Sequence, residues 1–284
     1  MNTKEEHLIK VLNFWKEVSL SEMLFEREAT KRISGSNKEI IDLVGVRRCG
    51  KSSTMKLLIK KLKLENNYVY INFEDPFFIE HSSPEIIEEL IGTYEEHFFS
   101  PVKYLLFDEI QQINLWERAV RKLRDSGKYK IYITGSSAKL LSRELSTLLT
   151  GRHITHTIYP LSFNEYLVFM KMPIASAKDL VLQEKKIRKM FSEYLLTGGF
   201  PEVVLSNNKS LLKNYFYDII QRDVLMRHSI RDYGIFEKIA YYLISNSAKP
   251  YSVESLKKTY GLSFQTASSY INYLKDSFIL FELS

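Results

Sequence analysis

The sequence has few of the features that mark secreted or membrane proteins. Its 284 residues include one cysteine, Cys49, so no disulfide forms within the chain, and this usage suits a reducing cytosol. No stretch approaches the roughly eighteen apolar residues of a membrane-spanning helix. The charged, amphipathic start lacks the apolar centre and cleavage site of a secretory signal. We therefore expect a cytoplasmic protein with no membrane partner.

Composition and length are typical of a globular protein. Hydrophobic residues make up 45% of the chain and charged residues 26%. The length allows one large domain and one or two small ones. The net charge of +6 permits an anionic ligand or nucleic acid but does not require a nucleic-acid partner. The chain has no internal repeat and no low-complexity tract.

The most specific motif is a phosphate-binding loop. Residues 45–52 read GVRRCGKS and fit the pattern G-x-x-x-x-G-K-[ST], between an apolar strand at 39–44 and a helical segment. Its glycines permit a tight turn of backbone N–H groups, and the helix that follows adds its positive amino end. Lys51 is expected to reach the β- and γ-phosphates, and the Ser52 hydroxyl to bind Mg2+. The residues expected to contact the nucleotide are Gly45, Val46, Arg47, Arg48, Cys49, Gly50, Lys51, Ser52 and Ser53.

Strand and helix patterns alternate through the first half of the chain, as in a parallel sheet with helices on both faces. This pattern predicts an α/β fold with five parallel strands, at 39–44, 68–73, 102–107, 130–133 and 153–159. Residues 5–33 are predicted to form one or two helices before the sheet. The sequence thus predicts a helical lead-in over 1–38 and an α/β core over 39–160.

The second half of the chain is predicted to be helical. Helical patterns dominate from 161 to about 246, and a GGFP turn interrupts them at 198–201. Two short helices around Gly261 have the apolar spacing of a helix-turn-helix, and 278–283 could be a first wing strand. We predict one helical region over 161–230 and a winged-helix-like region over 231–284.

A second motif is YLLFDE at 104–109, an apolar strand that ends in two carboxylates. Successive strand residues point to opposite sides, so the two acids are expected to have different roles. Asp108 is predicted to hold Mg2+ through water, and Glu109 to act as the general base on the attacking water.

Two further candidates each have two readings. The fourth strand leads into Gly135, Ser136 and Ser137; Ser136 is our first choice for contacting the γ-phosphate and Ser137 the second, but either is also explained as part of a turn and helix cap. Arg152, just before the fifth strand, is either a charge at a helix carboxyl end or a finger that reaches the γ-phosphate of a neighbouring subunit.

The ordered motifs GVRRCGKSS, YLLFDEIQ, TGSSAKLLSRELSTLLTGR, IYPLSFNEY and GGFPEV resemble the prokaryotic AAA-type ATPase family whose members commonly carry a C-terminal nuclease-like domain of unknown function. The resemblance implies an ASCE-type P-loop core, a helical lid and a winged helix, with ATP and Mg2+ as ligands. It puts Arg152 in the place of the arginine finger and Pro201 near the adenine; the alternative for Pro201 is a helix-breaking turn.

This chain departs from the family pattern at two points. A lid arginine is not identifiable, and Arg222 is only a candidate for it. The chain also ends at Ser284, where the resemblance predicts a further domain.

The function expected from these motifs is Mg-dependent binding and hydrolysis of ATP by a switch or remodeller, with homo-oligomerisation implied if Arg152 acts between subunits. The alternative is an ATP-bound DNA-binding regulator that uses the C-terminal helices. The second helix of that pair has no Lys or Arg before Lys275, so DNA contact there should be weak, and a protein contact is the other reading.

Overall fold

A computed structural model describes residues 3–21, 24–33, 38–135, 151–174 and 176–283. The chain divides into two compact units, residues 1–208 and residues 209–284. Residues 209–230, which we had expected in the lid, are grouped with the second unit. Among the described helices, none has the length and apolar character needed to cross a membrane.

The first unit is built on a five-stranded parallel sheet. Its strands are β1 (Ile40–Val44), β2 (Tyr68–Asn72), β3 (Tyr104–Asp108), β4 (Lys130–Thr134) and β5 (His153–Thr157), in the order β2-β3-β4-β1-β5. All four pairings are parallel. The five predicted strands are confirmed, and their ends move by at most two residues. β4 is one residue longer than predicted and ends at Thr134.

Helices cover this sheet because β1 to β4 are buried on both faces, as is usual for parallel strands, whereas the edge strand β5 is more exposed. Those before and between β1 and β4 are α1 (Thr3–Ser21), α2 (Glu28–Arg32), α3 (Lys51–Lys61), α4 (Phe77–Glu80), α5 (Glu85–Phe98) and α6 (Trp116–Asp125). α3 begins directly at the predicted phosphate loop. A 3-10 turn, Ile110–Gln112, follows β3.

The strand order determines which side chains meet. Carboxyl ends of parallel strands lie at one edge of a sheet, and β4 lies between β1 and β3. The loop after β1, the end of β3 at Asp108 and the end of β4 at Thr134 therefore share the carboxyl edge. Lys130 and Arg152, which begin or precede strands, lie at the opposite, amino edge.

A small helical layer follows β5 within the first unit. It consists of α7 (Phe163–Phe169), α8 (Ala177–Leu182), α9 (Glu184–Thr197) and α10 (Pro201–Ser206). Its core includes Leu161, Tyr166 and Met190. The GGFP turn lies against the exit of β5, because the N–H of Leu161 donates to the carbonyl of Gly199 at 2.6 Å. A Cβ on Gly199 would lie 2.2 Å from the carbonyl oxygen of Leu161, so this position requires glycine.

The second unit is helical. It contains α11 (Ser210–Ile219), a π-helical segment (Ile220–Leu225), α12 (Tyr233–Ser245), α13 (Val253–Tyr260) and α14 (Phe264–Asp276), with a core that includes Phe236, Ile239 and Leu274. The two helices predicted around Gly261 are present as α13 and α14. Residues 278–283 form no strand, so a wing is not observed in the described part of this unit.

Candidate functional site

The loop between β1 and α3 forms a tight turn with three residues at positive φ. Gly45, Arg48 and Gly50 have φ values of 151°, 69° and 101°. A Cβ on Gly45 would lie 2.1 Å from the carbonyl oxygen of Ile158, so only glycine fits where the loop passes the exit of β5. The turn brings the loop and the amino end of α3 together, which is the arrangement that binds anions.

Lys51 is the buried cation of this loop. The residue is 5% exposed, and its Nζ donates to the carbonyl oxygens of Gly45 at 3.0 Å and Val46 at 3.3 Å. The ammonium group is therefore held against the loop by two neutral acceptors. A phosphate in the loop would offer it charged acceptors, which form stronger hydrogen bonds.

Asp108 is fully buried beside the loop and has three hydroxyl partners. Tyr70 donates to its Oδ2 at 3.1 Å, Thr134 donates to its Oδ1, and its carboxylate is also hydrogen-bonded to Ser52. Burial and then the neighbouring charge of Glu109 raise the pKa of Asp108, while these hydrogen bonds and Lys51 oppose the rise. A carboxylate from β3 and a hydroxyl from the phosphate loop are thus in direct contact.

Glu109 lies just beyond the strand, in a left-handed conformation with φ of 52°. We had expected the two acids to point to opposite sides because successive strand residues alternate. This reason was wrong, because β3 ends at Asp108 and the chain turns before Glu109. Glu109 is 7% exposed, and its Oε2 accepts a hydrogen bond from Nε2 of Gln111 at 2.5 Å. Its backbone N–H donates to Oγ1 of Thr134 at 3.0 Å, so one threonine contacts both acidic residues.

Thr134 was not predicted as a site residue. The sequence-based choice was Ser136, with Ser137 second, and both lie outside the described residues. The signal that would have found Thr134 is the register of β3 and β4, in which Phe107 is opposite Ile133. One step further along both strands puts Thr134 opposite Asp108. The sequence-based choice fell on the serines after the strand rather than on its last residue.

Arg27 is a second site residue that the sequence did not indicate. It is 4% exposed and pairs through Nε with Glu165 at 2.8 Å. Its other nitrogens donate to the carbonyl oxygens of Cys49 at 2.9 Å and Tyr159 at 2.7 Å. Glu165 in turn caps α7 through the N–H of Ser162. One guanidinium therefore joins the phosphate loop, the exit of β5 and the helical layer.

The remaining loop positions have different surroundings. Arg47 lies 3.4 Å from Glu74, and Arg48 lies 3.7 Å from Glu202 of α10. The Cys49 thiol is fully buried, and burial raises its pKa, so its side chain packs inward. The backbone of Cys49, not its thiol, is the part of this residue that can serve a nucleotide. Ser53 is half-buried in the first turn of α3.

Pro201 begins α10 and lies close to the loop. Its Cγ is 3.8 Å from the point where a Cβ on Gly50 would lie. This brings the GGFP turn to the phosphate loop; contact with an adenine base stays a prediction. Arg222, the candidate lid arginine, is an exposed residue of the π-helical segment in the second unit.

Arg152 lies at the amino edge of the sheet, away from the loop of its own subunit. Its carbonyl oxygen accepts the N–H of Ile40, the first residue of β1, at 2.9 Å. Its Nε lies 3.9 Å from Asp125 at the end of α6. Five strand residues, about 16 Å of chain, separate the two edges, so Arg152 does not act on a nucleotide in its own subunit.

Comparisons with known proteins agree with a P-loop fold. Residues 37–167 match a family model described as an AAA domain, and residues 188–284 match one described as a domain of unknown function. The matched AAA region covers the whole sheet and the loop. Residues 37–167 are therefore similar to an AAA domain, and this similarity agrees with the five-stranded parallel sheet.

Curated relatives are themselves uncharacterized. The chain is 34% identical over 251 residues to uncharacterized protein MJ1544 of Methanocaldococcus jannaschii, covering 85% of this chain and 56% of that protein. It is 32% identical over 254 residues to an uncharacterized protein of Haemophilus influenzae, covering 84% of this chain and 60% of that protein. The chain thus spans less than two thirds of the length of these relatives.

The solved structures matched to this chain are remote in both sequence and TM-score. AMPPCP-bound DnaA from Aquifex aeolicus is 14% identical with a TM-score of 0.35, over 94% of this chain and 88% of that one. PCH-2 of C. elegans is 15% identical with a TM-score of 0.34, over 94% and 68%. The Aeropyrum pernix ORC1 protein, solved in complex with DNA, is 10% identical with a TM-score of 0.34, over 97% and 83%. Likeness at this level transfers no residue role and no partner to this chain.

We expect Arg27→Lys to weaken nucleotide binding about tenfold. Lysine keeps the positive charge beside Glu165, but its single nitrogen cannot also donate to the carbonyls of Cys49 and Tyr159. The loss of two hydrogen bonds corresponds to about a tenfold change in affinity. Calorimetric titration with Mg-ADP measures the change. Arg32→Lys, an exposed arginine of α2, is the control. Wild-type affinity in Arg27→Lys would show that this contact does not shape the loop.

We expect Asp108→Asn to raise the Tm of the nucleotide-free protein at pH 7 by about 2–4 °C. The folded-state pKa of Asp108 is raised, so its ionised form costs stability, and this cost disappears as pH falls below the ordinary pKa of aspartate. Scanning calorimetry from pH 7 to pH 4 should show the difference shrinking. Asp125→Asn is the control, because Arg124 lowers the pKa of that carboxyl and the change should give no gain. A lower Tm for Asp108→Asn at pH 7 contradicts this prediction.

Proposed function

We propose that this protein binds and hydrolyses ATP with Mg2+ and uses the nucleotide state as a switch. The observation that carries the proposal is one cluster at the carboxyl edge of the sheet. There Ser52 of the phosphate loop is hydrogen-bonded to Asp108, and Thr134 contacts both Asp108 and Glu109. A P-loop that only bound a nucleotide would not require Glu109, a second buried carboxylate next to the predicted Mg2+ ligands Ser52 and Asp108.

The donor set at this cluster suits Mg2+. The hydroxyl of Ser52 and the carboxylate of Asp108 are hard oxygen ligands in contact with each other. The described residues contain no group of three or more His, Cys, Asp or Glu side chains placed to hold a metal. Ser52 and Asp108 would therefore hold Mg2+ together with the nucleotide phosphates, as is usual for this ion, and the ion would neutralise phosphate charge.

Protein side chains supply the rest of the hydrolytic chemistry. Lys51 leaves the carbonyls of Gly45 and Val46 and binds the β- and γ-phosphates. Glu109 accepts a proton from water, the water oxygen forms a bond to the γ-phosphorus, and the bond to ADP breaks with its electrons leaving on ADP. The left-handed turn at Glu109 and its hydrogen bonds to Thr134 and Gln111 hold this residue close to Asp108, whose pKa its charge helps to raise.

Contacts of the loop with the helical layer support the switch. Arg48 lies near Glu202, Gly50 lies near Pro201, and Arg27 joins the Cys49 carbonyl to Glu165 of α7. A nucleotide that reshapes the loop would therefore shift α7 and α10. A ligand can drive such a change only if it binds the two conformations of the protein with different affinities.

The alternative, a DNA-binding regulator acting through α13 and α14, has weaker support. Lys275, the first basic residue of α14, is engaged with Glu282. A helix with so little free positive charge gains little from phosphate neutralisation. We therefore keep ATP hydrolysis as the primary proposal.

Glu109→Gln is expected to bind ATP as tightly as the wild type and to lower kcat by about 10²–10⁴-fold, because glutamine cannot accept the proton. Phosphate release and titration with a fluorescent ATP analogue measure the two quantities separately. Glu96→Gln, an exposed glutamate of α5, serves as the matched control. If Glu109→Gln turns over at the wild-type rate, another group is the base.

Arg152→Ala tests whether subunits complete each other's sites. We expect turnover per subunit to rise with protein concentration, and mixtures of Arg152→Ala with Glu109→Gln to recover part of the activity, because one mixed interface keeps both residues. Arg118→Ala, an exposed arginine of α6, is the control. Turnover that is independent of concentration, with no recovery in the mixture, would exclude a finger acting between subunits.

A further inference from the structure

A basic pocket lies at the amino edge of the sheet, opposite the phosphate loop. It is a cavity of about 700 Å³, open to solvent, and it belongs entirely to the first unit. Among the described residues, five cations line it: Lys38, Lys103, Arg124, Lys128 and Lys130. The carboxyl edge with Lys51 is separated from it by the length of the strands, so the pocket is not part of the proposed ATP site.

The sheet topology arranges these cations in a row. Lys103 immediately precedes β3, Lys130 begins β4, and Lys38 lies two residues before β1. Because the strand order is β3-β4-β1-β5, these lysines stand at the amino ends of three adjacent strands, and Arg152 stands at the fourth. Neighbouring strands are about 4.8 Å apart, so the row extends across roughly 14 Å. A linear anion matches a row of this kind better than one compact phosphate does.

The acidic member of the pocket lining is already neutralised. Asp125 is the one carboxylate among the described residues that line the pocket. It accepts a hydrogen bond from Arg124 at 3.0 Å and lies 3.7 Å from Arg121 and 3.9 Å from Arg152. The pocket therefore presents a strong excess of positive charge.

Helix stabilisation explains only part of this charge. Arg121 and Arg124 lie in the last two turns of α6, where cations favour the negative end of a helix. Lys103 and Lys130 belong to strand ends and have no such role. The Nε of Arg124 is buried and has no hydrogen-bond partner, so the lining also retains an unused donor.

Two aromatic rings complete the pocket. Tyr104 and Tyr129 are half-buried members of its lining, and the Nζ of Lys130 lies 5.7 Å from the centre of the Tyr104 ring. Cations that follow a backbone, beside aromatic rings on which bases stack, are the means by which proteins hold single-stranded nucleic acid. Paired bases in a duplex do not offer their faces to such rings.

We propose that this amino-edge pocket binds single-stranded nucleic acid, with the lysine row on the phosphodiester backbone and a base against Tyr129. This function is separate from α13 and α14 and does not depend on ATP hydrolysis. The first unit would thus contact a polyanion at the amino edge of its sheet, while ATP binds at the carboxyl edge.

The test is fluorescence anisotropy with a labelled oligothymidylate of about 12 nucleotides, titrated at several salt concentrations. In the full chain, Lys103→Ala with Lys130→Ala should weaken binding at least tenfold. It should also make the slope of log K against log salt shallower by about 1.4, since each lost contact contributes about 0.7 for single strands. Lys185→Ala with Lys186→Ala removes the same charge from the exposed face of α9 and should leave both quantities unchanged.

Tyr129 tests the stacking contact. Tyr129→Ala should weaken binding about tenfold, and Tyr129→Phe should retain it, because phenylalanine keeps the aromatic face. Binding of a fluorescent ATP analogue to each variant is the folding control and should stay at the wild-type level. A failure of ATP hydrolysis in the wild type would leave this oligonucleotide result standing on its own.

Three results would overturn the proposal. The first is equal loss of binding in the Lys103 and Lys130 pair and in the Lys185 and Lys186 pair, which would show only a general charge effect. The second is displacement of the oligonucleotide by ATP in direct competition, which would assign binding to the carboxyl edge. The third is tighter binding of a duplex of the same length, which would exclude stacking on Tyr129.

Discussion

The position of β4 between β1 and β3 is the constraint on which the site depends. Parallel pairing brings the carboxyl ends of these strands to one edge, so Asp108 and Thr134, which follow the loop by about 60 and about 85 positions in the chain, meet it there. The loop after β1 supplies the backbone predicted to bind phosphate, β3 supplies Asp108, and β4 supplies the hydroxyl of Thr134 that links Asp108 to Glu109. A strand order β3-β1-β4 would leave Thr134 one strand away from this contact. The same pairing sends the amino ends to the opposite edge, where the chain collects lysines.

Stability and chemistry oppose each other at the carboxyl edge. Asp108 is buried beside Glu109, and both burial and the second charge raise its pKa. The chain tolerates this because three hydroxyl groups and Lys51 stabilise the charged form. Arg27 and Glu165 form a buried pair whose remaining lone pairs and donors are used by backbone groups of the loop and of α7. Such a pair costs desolvation, and what it provides is a fixed relation between the loop and the helical layer.

Much of the architecture was predictable from the sequence, and the reasons are local. β1 to β4 were apolar runs between turn signals. The phosphate loop and the Asp108–Glu109 pair are short motifs, and backbone geometry explains their residue types. Strand ends were less certain. Thr134, the last residue of β4, was passed over for Ser136, because its contacts with Asp108 and Glu109 depend on how β3 and β4 pair. The contacts of Arg27 and Gln111 were missed because they depend on where each side chain points after the chain has turned. The periodicity of the sequence carries no information about this. The wing was expected from the apolar residues at 278–283, but these residues form no strand in the structure.

The class of fold, the phosphate loop and the acids at the end of β3 follow from runs of neighbouring residues, so they could be predicted before the structure was known. Which distant residues join them depends on how the chain folds. Arg27 lies 138 positions from Glu165, and the lysines at 38, 103 and 130 belong to separate segments until the sheet forms. The inward side chain of Cys49 and the place of Arg152 at the edge opposite its own loop were likewise decided by packing. Distances across the sheet depend on strand order, and strand order is a property of the folded chain.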